Sequence, residues 1–210
     1  MPIVAATLLA GCYTPPNFPL IDEIPIEGPA ESCAPPRQDT VACVLDGDTF
    51  DVGACGETLG ERIRMLGVDA PEIAHDPEPA DCHGDAAHTA LAELLGTRQV
   101  TLTFDNECEG IYGRTLAYVW LEGDELDDVR DEPGVEDLID RSGGESSDTG
   151  ITTEDVEERL LVNEWIISEG HATRFEEDFG AGPLRYEGTL KSAEGAAEAN
   201  GRGLWSECGA

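Results

Sequence analysis

Positive charge is what this sequence has least of. Its 210 residues include 12 Lys and Arg, only one of them Lys, against 45 Asp and Glu, and the formal net charge is −33. Proteins that hold nucleic acid regardless of sequence usually neutralise the phosphates with many basic side chains. A surface this acidic repels a polyanion at low salt, and salt screens that repulsion beyond about 8–10 Å. Phosphate chemistry here therefore requires a local positive site, helped by a metal ion.

Other absences narrow the class of protein further. No apolar run reaches the length of about 20 residues that a bilayer-spanning helix needs. No two cysteines have the Cys-x-x-Cys spacing of a zinc site, and the four histidines lack metal-ligand spacing and are interpreted as surface or loop residues. What is present, a chain that is 40% hydrophobic, is enough for the core of one ordinary domain with appendages.

The N-terminal segment has the features of an export signal. A short apolar stretch over residues 3–9 ends at Ala10-Gly11-Cys12, which resembles the lipobox that bacterial lipoproteins carry before a lipidated cysteine. We predict a lipoprotein signal segment over residues 1–12, lipidation of Cys12, and a Pro-rich tether over residues 13–38. The protein is then extracytoplasmic, anchored to a membrane through Cys12, or secreted; an ordinary signal peptide is the alternative.

Six cysteines remain beyond Cys12. They are Cys33, Cys43, Cys55, Cys82, Cys108 and Cys208. An even number in an exported chain indicates three disulfides, and the spacing alone leaves their connectivity open.

The hydrophobic pattern from residue 39 to residue 210 predicts one domain, a small closed β-barrel with helices at its side. Alternating apolar residues predict strands over residues 41–45, 49–52, 62–68, 99–104 and 116–121, the first two joined as a hairpin. Apolar residues at helical spacing predict helices over residues 84–95, 160–167 and 184–200.

An acidic segment interrupts this pattern at residues 122–158. It contains 16 acidic residues and two arginines, and its centre has the composition of a linker. Such a segment buries little apolar surface to offset its ordering entropy. We interpret it as an acidic surface insertion with a mobile centre and a short helix near residues 135–139.

Carboxylates and arginines recur where the predicted strands end. Asp48 and Asp69 offer hard oxygen ligands of the kind that Ca²⁺ prefers. Arg64 and Arg114 can each clamp a phosphate through two N–H donors. Glu72 is the nearby carboxylate able to orient or deprotonate a water. Each motif alone is more often a turn or a surface charge, but together they suffice for phosphodiester hydrolysis, in which charge stabilisation dominates the rate.

In their order along the chain, these motifs resemble the thermonuclease (staphylococcal-nuclease-like) family. The matching motifs are Gly47-Asp48-Thr49, the segment from Arg64 to Glu72, Tyr112-Gly113-Arg114, Leu161-Val162-Asn163-Glu164 and Leu204-Trp205. The resemblance implies a fold that is mainly β with α, a five-stranded OB-fold barrel with three helices. It also implies a calcium-dependent endonuclease, a hydrolase that cuts DNA and RNA on the 5′ side of the phosphodiester and leaves 3′-phosphates.

Roles for individual residues follow from the same resemblance. Asp48, Asp69 and the main-chain carbonyl of Ala70 are expected to hold Ca²⁺. The expected catalytic residues are Arg64, Glu72 and Arg114. Glu72 acts on the attacking water, and the two arginines bind and stabilise the phosphate. The chain departs from the family in its acidity and in Ala70, which stands where the family often has Thr. The family's two tyrosines near the nucleotide have no secure match, although Phe175, Phe179 and Tyr186 are nearby in sequence.

In a barrel of this family, the loops that carry Cys82 and Cys108 are expected on one side, which favours a Cys82–Cys108 disulfide. Cys43–Cys55 across the first hairpin and Cys33–Cys208 between the ends complete the expected set. DNA and RNA are the expected partners, together with a membrane, and no protein partner is predicted. The alternative function is a nucleic-acid or protein binding module that kept the barrel and lost catalysis.

Overall fold

A computed structural model describes residues 32–56, 59–75, 77–139, 158–175 and 183–209. The predicted lipidation site Cys12, most of the predicted tether and the centre of the acidic segment lie outside these residues. Within them, none of the helices combines the length and the apolar character that crossing a bilayer requires.

Five strands form a closed barrel. They are β1 (Arg37–Val44), β2 (Thr49–Val52), β3 (Glu61–Met65), β5 (Gln99–Thr103) and β6 (Thr115–Glu122), while β4 (Val68–Asp69) lies outside the barrel. The barrel strands neighbour one another in the order β3-β2-β1-β5-β6, and a parallel pairing of β3 with β6 closes the ring. Side chains alternate along β3, where Ile63 and Met65 are buried and their neighbours are partly exposed. This architecture confirms the predicted fold class.

Two shorter pairings extend the sheet structure. Strand β7 (Arg159–Leu161) adds to β6, and β4 pairs with β8 (Thr173–Arg174) as a separate two-stranded sheet. The β4–β8 pairing matters for the site because it fixes the backbone at Asp69, which lies opposite Thr173.

Helices cover the barrel where the apolar spacing predicted them. Helix α1 (Gly84–Leu95) has the predicted bounds and buries Ala87, Leu91, Leu94 and Leu95 at helical spacing. Helix α4 (Val162–Ser168) begins two residues after the predicted start, because residues 159–161 pair with β6 instead. Helix α5 (Glu187–Asn200) begins three residues later than predicted. Helix α6 (Leu204–Glu207) is the last element of the described residues.

Part of the acidic segment belongs to the core. Helices α2 (Gly123–Asp127) and α3 (Val135–Leu138) lie in its first half. Leu126, Val129 and Val135 are all at least 99% buried. Residues 123–139 thus bury their apolar side chains in the core while most of their acidic side chains stay exposed, and α3 lies where a short helix was predicted. Residues 140–157 lie outside the described residues.

The disulfides are Cys33–Cys108, Cys43–Cys55 and Cys82–Cys208. The second of these confirms the prediction, whereas the predicted Cys82–Cys108 and Cys33–Cys208 bonds are wrong because their partners are exchanged. Pairing of β1 with β5 carries Cys33 to the end of β5, where its backbone N–H donates to the Asp105 carbonyl at 2.7 Å. That position is next to Cys108, which leaves Cys82, just before α1, to meet the C-terminal helix α6.

Candidate active site

The turn between β1 and β2 places Asp48 at the mouth of the barrel with 3% of its surface exposed. Its two carboxylate oxygens have separate partners: Oδ1 accepts from the Thr49 hydroxyl at 2.8 Å and Oδ2 accepts from the Ala70 N–H at 2.9 Å. Gly47 makes this turn possible, since a Cβ there would lie 2.5 Å from the Ala70 Cβ and 2.8 Å from the Ala87 Cβ. The close approach fixes Asp48 against both β4 and α1.

Arg64 joins Asp48 to Asp69. It lies on β3 opposite Thr49, forms an ion pair with Asp48 through Nη1, and donates from Nη2 to Asp69 Oδ1 at 3.3 Å. The Arg64 side chain is 14% exposed and that of Asp69 is 54% exposed, so the group opens to solvent on the Asp69 side. Phe175 covers the guanidinium from another direction, with its ring centre 5.9 Å from the Arg64 Cζ. We call Asp48, Arg64 and Asp69 the rim cluster.

Arg114 is close enough to this cluster to shift the pKa values of its neighbours. Burial lowers the pKa of Arg64, and the positive charge of Arg114 lowers it further. Burial raises the pKa of the Asp46 carboxyl, against the opposing effects of Arg64 and Arg114. Asp46 also accepts from the Asp48 N–H at 3.0 Å. The charges of Arg114, Asp46 and Asp69 therefore all act on Arg64, which places these groups in one electrostatic neighbourhood.

Glu72 and Arg114 face a cleft of about 750 Å³ beside the rim cluster. Its lining residues are Gly60, Glu61, Arg62, Glu72, Tyr112, Gly113 and Arg114. The Glu72 carboxylate is mostly exposed and lies 3.8 Å from His75 Nε2, while its backbone N–H donates to Asp81 at 3.3 Å. Arg114 follows Gly113, whose φ of 70° turns the chain back towards β6, and its guanidinium lies 5.4 Å from the Tyr112 ring centre.

The residues predicted to bind the metal and the phosphate thus form two groups, linked by the electrostatic effect of Arg114 on Arg64. Asp48, Arg64, Asp69 and Ala70 contact one another directly, while Glu72 and Arg114 line the adjoining cleft. Of the aromatic candidates, Phe175 lies against Arg64. Tyr186 instead packs edge-on against Tyr118 and Trp120, away from the rim cluster, and Phe179 lies outside the described residues.

The donor set suits a hard divalent cation. One positive group, the Arg64 guanidinium, already reaches both Asp48 and Asp69, so the two carboxylates converge on a common position. Every side-chain donor there is a carboxylate oxygen, as Ca²⁺ prefers. Among the described residues, three acid, cysteine or histidine ligand atoms lie within 4.8 Å of one another only at Cys43, Asp51 and Cys55, and there the two sulfurs form a disulfide.

Sequence reasoning missed Arg62 and Glu61, which line the same cleft. Arg62 had a signal, since it is two residues from Arg64 on a strand and therefore shares its face. No sequence signal marked Glu61, because its place at the cleft depends on the tertiary pairing of β3 with β6. Its Oε1 accepts from the Thr115 hydroxyl and from Arg37 Nη2, each at 2.6 Å.

A closed five-stranded barrel with helices at its side, whose mouth combines arginines with paired carboxylates, defines an OB-fold protein. A family model described as staphylococcal nuclease homologue matches residues 62–207, more than half of the chain. The chain therefore belongs to that family.

Several named relatives resemble part of this chain. It is 42% identical to the thermonuclease of Staphylococcus intermedius over 87 residues, which cover 41% of this chain and 50% of that protein. It is 40% identical to the thermonuclease of Staphylococcus hyicus over 78 residues, 37% of this chain and 45% of that protein. It is 30% identical to a probable endonuclease LCL3 of Paracoccidioides lutzii over 146 residues, 69% of this chain and 33% of that protein. The chain thus spans half or less of the length of these relatives.

Proposed function

We propose that this protein is an extracytoplasmic, calcium-dependent nuclease that hydrolyses phosphodiester bonds of DNA and RNA on the 5′ side and leaves 3′-phosphates. The observation that carries the proposal is the convergence of the rim cluster with Glu72 and Arg114 at one cleft. Similarity to proteins named thermonuclease and endonuclease supports it. Three disulfides support an oxidising compartment, and with the lipobox at Cys12 they support a membrane-anchored or secreted location.

The metal belongs beside the rim cluster. Asp48, Asp69 and the main-chain carbonyl of Ala70 would hold Ca²⁺, which when bound supplies positive charge to a phosphate oxygen. The Ala70 N–H and the Thr49 hydroxyl hold the Asp48 carboxylate in a fixed orientation, so the ion would displace the Arg64 guanidinium from between Asp48 and Asp69 without turning the Asp48 carboxylate.

Arginines and one carboxylate would perform the remaining steps. Arg64 and Arg114 donate N–H groups to the phosphate oxygens, on which negative charge builds up as water attacks. Glu72 accepts the proton of that water through its exposed carboxylate while the P–O5′ bond breaks, and the leaving 5′-oxygen takes a proton from solvent water to give a 5′-hydroxyl. Burial of Arg64 strengthens its interaction with the phosphate, because less water competes for the guanidinium. The positive charge is local, which is how an acidic protein can still hold a polyanion.

Replacing Glu72 tests the proposal most directly. Glu72→Gln removes the proton acceptor but keeps the shape of the side chain, and we expect kcat on single-stranded DNA and on RNA to fall by about 100- to 10,000-fold. The measurement is digestion by the full chain across Ca²⁺ concentrations, with and without a chelator. Glu198→Gln, on the exposed face of α5, is the matched control and should leave the rate unchanged.

Two outcomes of this assay contradict the proposal. Nucleic acid that stays intact with the folded wild-type protein at every Ca²⁺ and salt concentration would favour the catalytically silent binding module. Equal rates with and without chelator would remove calcium from the mechanism. In either case, thermal unfolding with and without Ca²⁺ reports separately whether the Asp48 and Asp69 carboxylates bind the ion.

A further inference from the structure

Strand β3 carries two arginines on one face. Ile63 and Met65 point into the barrel, so Arg62 and Arg64 both lie on its outer face. Residues two apart on a strand are separated by about 6–7 Å, a distance comparable with one nucleotide step along an extended strand. Arg62 therefore repeats the position of Arg64 at the next step along the same surface.

The closure of the barrel brings Arg62 to Arg114 as well. The parallel register places Ile63 opposite Thr115, so the preceding residues on the two strands, Arg62 and Arg114, are also neighbours. Both line the cleft of about 750 Å³ that contains Glu72. A second guanidinium, beside that of Arg114, thus faces the cleft where Arg114 and Glu72 act under the proposed function.

A buried carboxylate sets the orientation of Arg62. Asp51, which is fully buried, lies directly opposite it on β2. Its Oδ1 accepts from Arg62 Nε at 3.0 Å and its Oδ2 from Nη2 at 3.4 Å, a two-point contact that fixes the guanidinium plane. The Gly56 N–H holds Asp51 in turn, donating at 2.8 Å. The Arg62 side chain remains 26% exposed, on the side of the cleft.

Of the two carboxylates beside Arg62, Asp51 pairs with Arg62 itself, and Glu61 is already held by other partners. Glu61 lines the same cleft, but its carboxylate accepts from Arg37 and from the Thr115 hydroxyl. In a protein with 12 basic residues, two arginines, Arg62 and Arg114, line this single cleft, while Arg37 neutralises Glu61. Such a concentration of scarce positive charge favours a ligand with more than one negative charge.

We propose that Arg62 binds the phosphate next to the scissile one, so that the cleft takes an internal stretch of a nucleic-acid strand with at least two consecutive phosphodiesters. This inference rests on the proposed function of the cleft. Arg64 and Arg114 hold the reacting phosphate, and Arg62 holds its neighbour one step along β3. It is a substrate-binding residue that touches no reacting atom.

An oligonucleotide with one neutral linkage tests this subsite. The full chain is assayed on a short single-stranded DNA and on the same DNA with a methylphosphonate on either side of the cleaved bond. For Arg62→Gln we expect KM on the all-phosphate strand to rise about tenfold, the value of one charge-assisted contact, with kcat within about twofold of wild type. Neutralising the flanking phosphate should raise the wild-type KM by a similar factor and leave Arg62→Gln unaffected.

Three further variants separate the subsite from general effects. Arg130→Gln, in an exposed ion-pair group away from the cleft, removes the same charge and should not change KM. Arg62→Lys keeps the charge without the fork and should recover part of the affinity. Asp51→Asn with Arg62→Gln removes the buried charge that Arg62→Gln alone leaves unpaired, and it should reproduce the KM of Arg62→Gln if the protein remains folded.

Binding of a fluorescent oligonucleotide, followed by anisotropy with and without Ca²⁺, makes the outcomes distinct. A wild-type protein that binds through Arg62 but does not cleave would support the subsite and overturn the nuclease. A protein that cleaves, but in which Arg62→Gln and Arg130→Gln raise KM equally, would overturn the subsite and keep the nuclease. Equal losses by Arg62→Gln on the charged and the neutral flanking linkage would also overturn the subsite.

Discussion

The rim cluster and a second polar cluster, made of His83, His171 and Glu207, each join buried groups to one exposed carboxylate, yet the groups they hold differ. His83 Nδ1 contacts Glu207 Oε2 at 2.8 Å, and its Nε2 contacts His171 Nδ1 at 3.0 Å. The histidine cluster lies next to the Cys82–Cys208 bond, and its exposed carboxylate meets an imidazole. The exposed carboxylate of the rim cluster, Asp69, meets a guanidinium instead. Both histidines lie in loops, as predicted, His83 just before α1 and His171 after α4, although the His83 side chain is 97% buried.

Shifted pKa values occur in both clusters and do not separate them. Burial and the neighbouring His83 lower the pKa of His171 to about 4, while burial lowers the pKa of Arg64. The two clusters differ in the charge of the cleft beside each of them. His171 lines a cleft of about 470 Å³ whose charged residues are acids, Asp85, Glu93, Glu132 and Glu169, and this cleft repels phosphate. A perturbed group indicates function only where the surrounding charge suits a ligand.

Of the variants that test the difference between the two clusters, a replacement of Arg64 should have the largest effect on activity. Arg64→Lys keeps a positive charge but loses the planar fork that spans Asp48 and Asp69, and we expect kcat to fall by about 100- to 1,000-fold. Single-turnover cleavage of single-stranded DNA at saturating substrate measures the effect. Arg202 pairs with Glu169 at 3.0 Å, and Arg202→Lys is the control for the loss of a guanidinium from an ion pair outside the rim cluster. Comparable losses in both variants would remove the distinction between the rim cluster and an ordinary ion pair.

Removing disulfides should separate stability from activity. Cys82→Ser with Cys208→Ser opens a link across 126 residues beside the histidine cluster. We expect this to lower the free energy of unfolding by about 3 kcal/mol, with no change in kcat at temperatures where the protein remains folded. Cys33→Ser with Cys108→Ser should lower kcat as well, because Cys108 begins the loop that presents Arg114. Denaturant unfolding and digestion assays on both pairs give the comparison, which fails if the two pairs lose activity equally.

The histidine cluster should make the free energy of unfolding depend on pH. The pKa of His171 is about 4 in the folded protein and near 6.5 when unfolded, so the unfolded state binds more protons between these values. The free energy of unfolding should therefore fall as pH falls from 6.5 to 4, by about 2 kcal/mol through this group. His171→Asn should flatten that part of the profile relative to wild type, and His88→Asn should not. Parallel urea-unfolding profiles for wild type and His171→Asn would rule out this account.

Local patterns predicted most strands and helices because each depends on few neighbours. Helix α1 has the predicted bounds, since Ala87, Leu91, Leu94 and Leu95 alone define its buried face. Asp48, Arg64 and Asp69 were singled out by the order of their motifs along the chain, which resembles that of the family, and the structure brings their side chains together. The hairpin disulfide Cys43–Cys55 was predicted, but the partners of Cys33 and Cys82 were not, because the placing of Cys33 beside Cys108 depends on the pairing of β1 with β5. The strand spacing put Arg62 on the same face as Arg64, but its place beside Arg114 depends on the β3–β6 register.

The Cys33–Cys108 bond has a mechanical consequence. The chain ahead of Cys33 enters the domain at a covalent junction with the loop that precedes Arg114. A pull on the preceding segment is carried through the sulfur bridge to Cys108, and the hydrogen bonds between β1 and β5 bear little of the load. A force applied to the segment before Cys33 is therefore transmitted to the loop beside the cleft and not to the hydrogen bonds between the barrel strands.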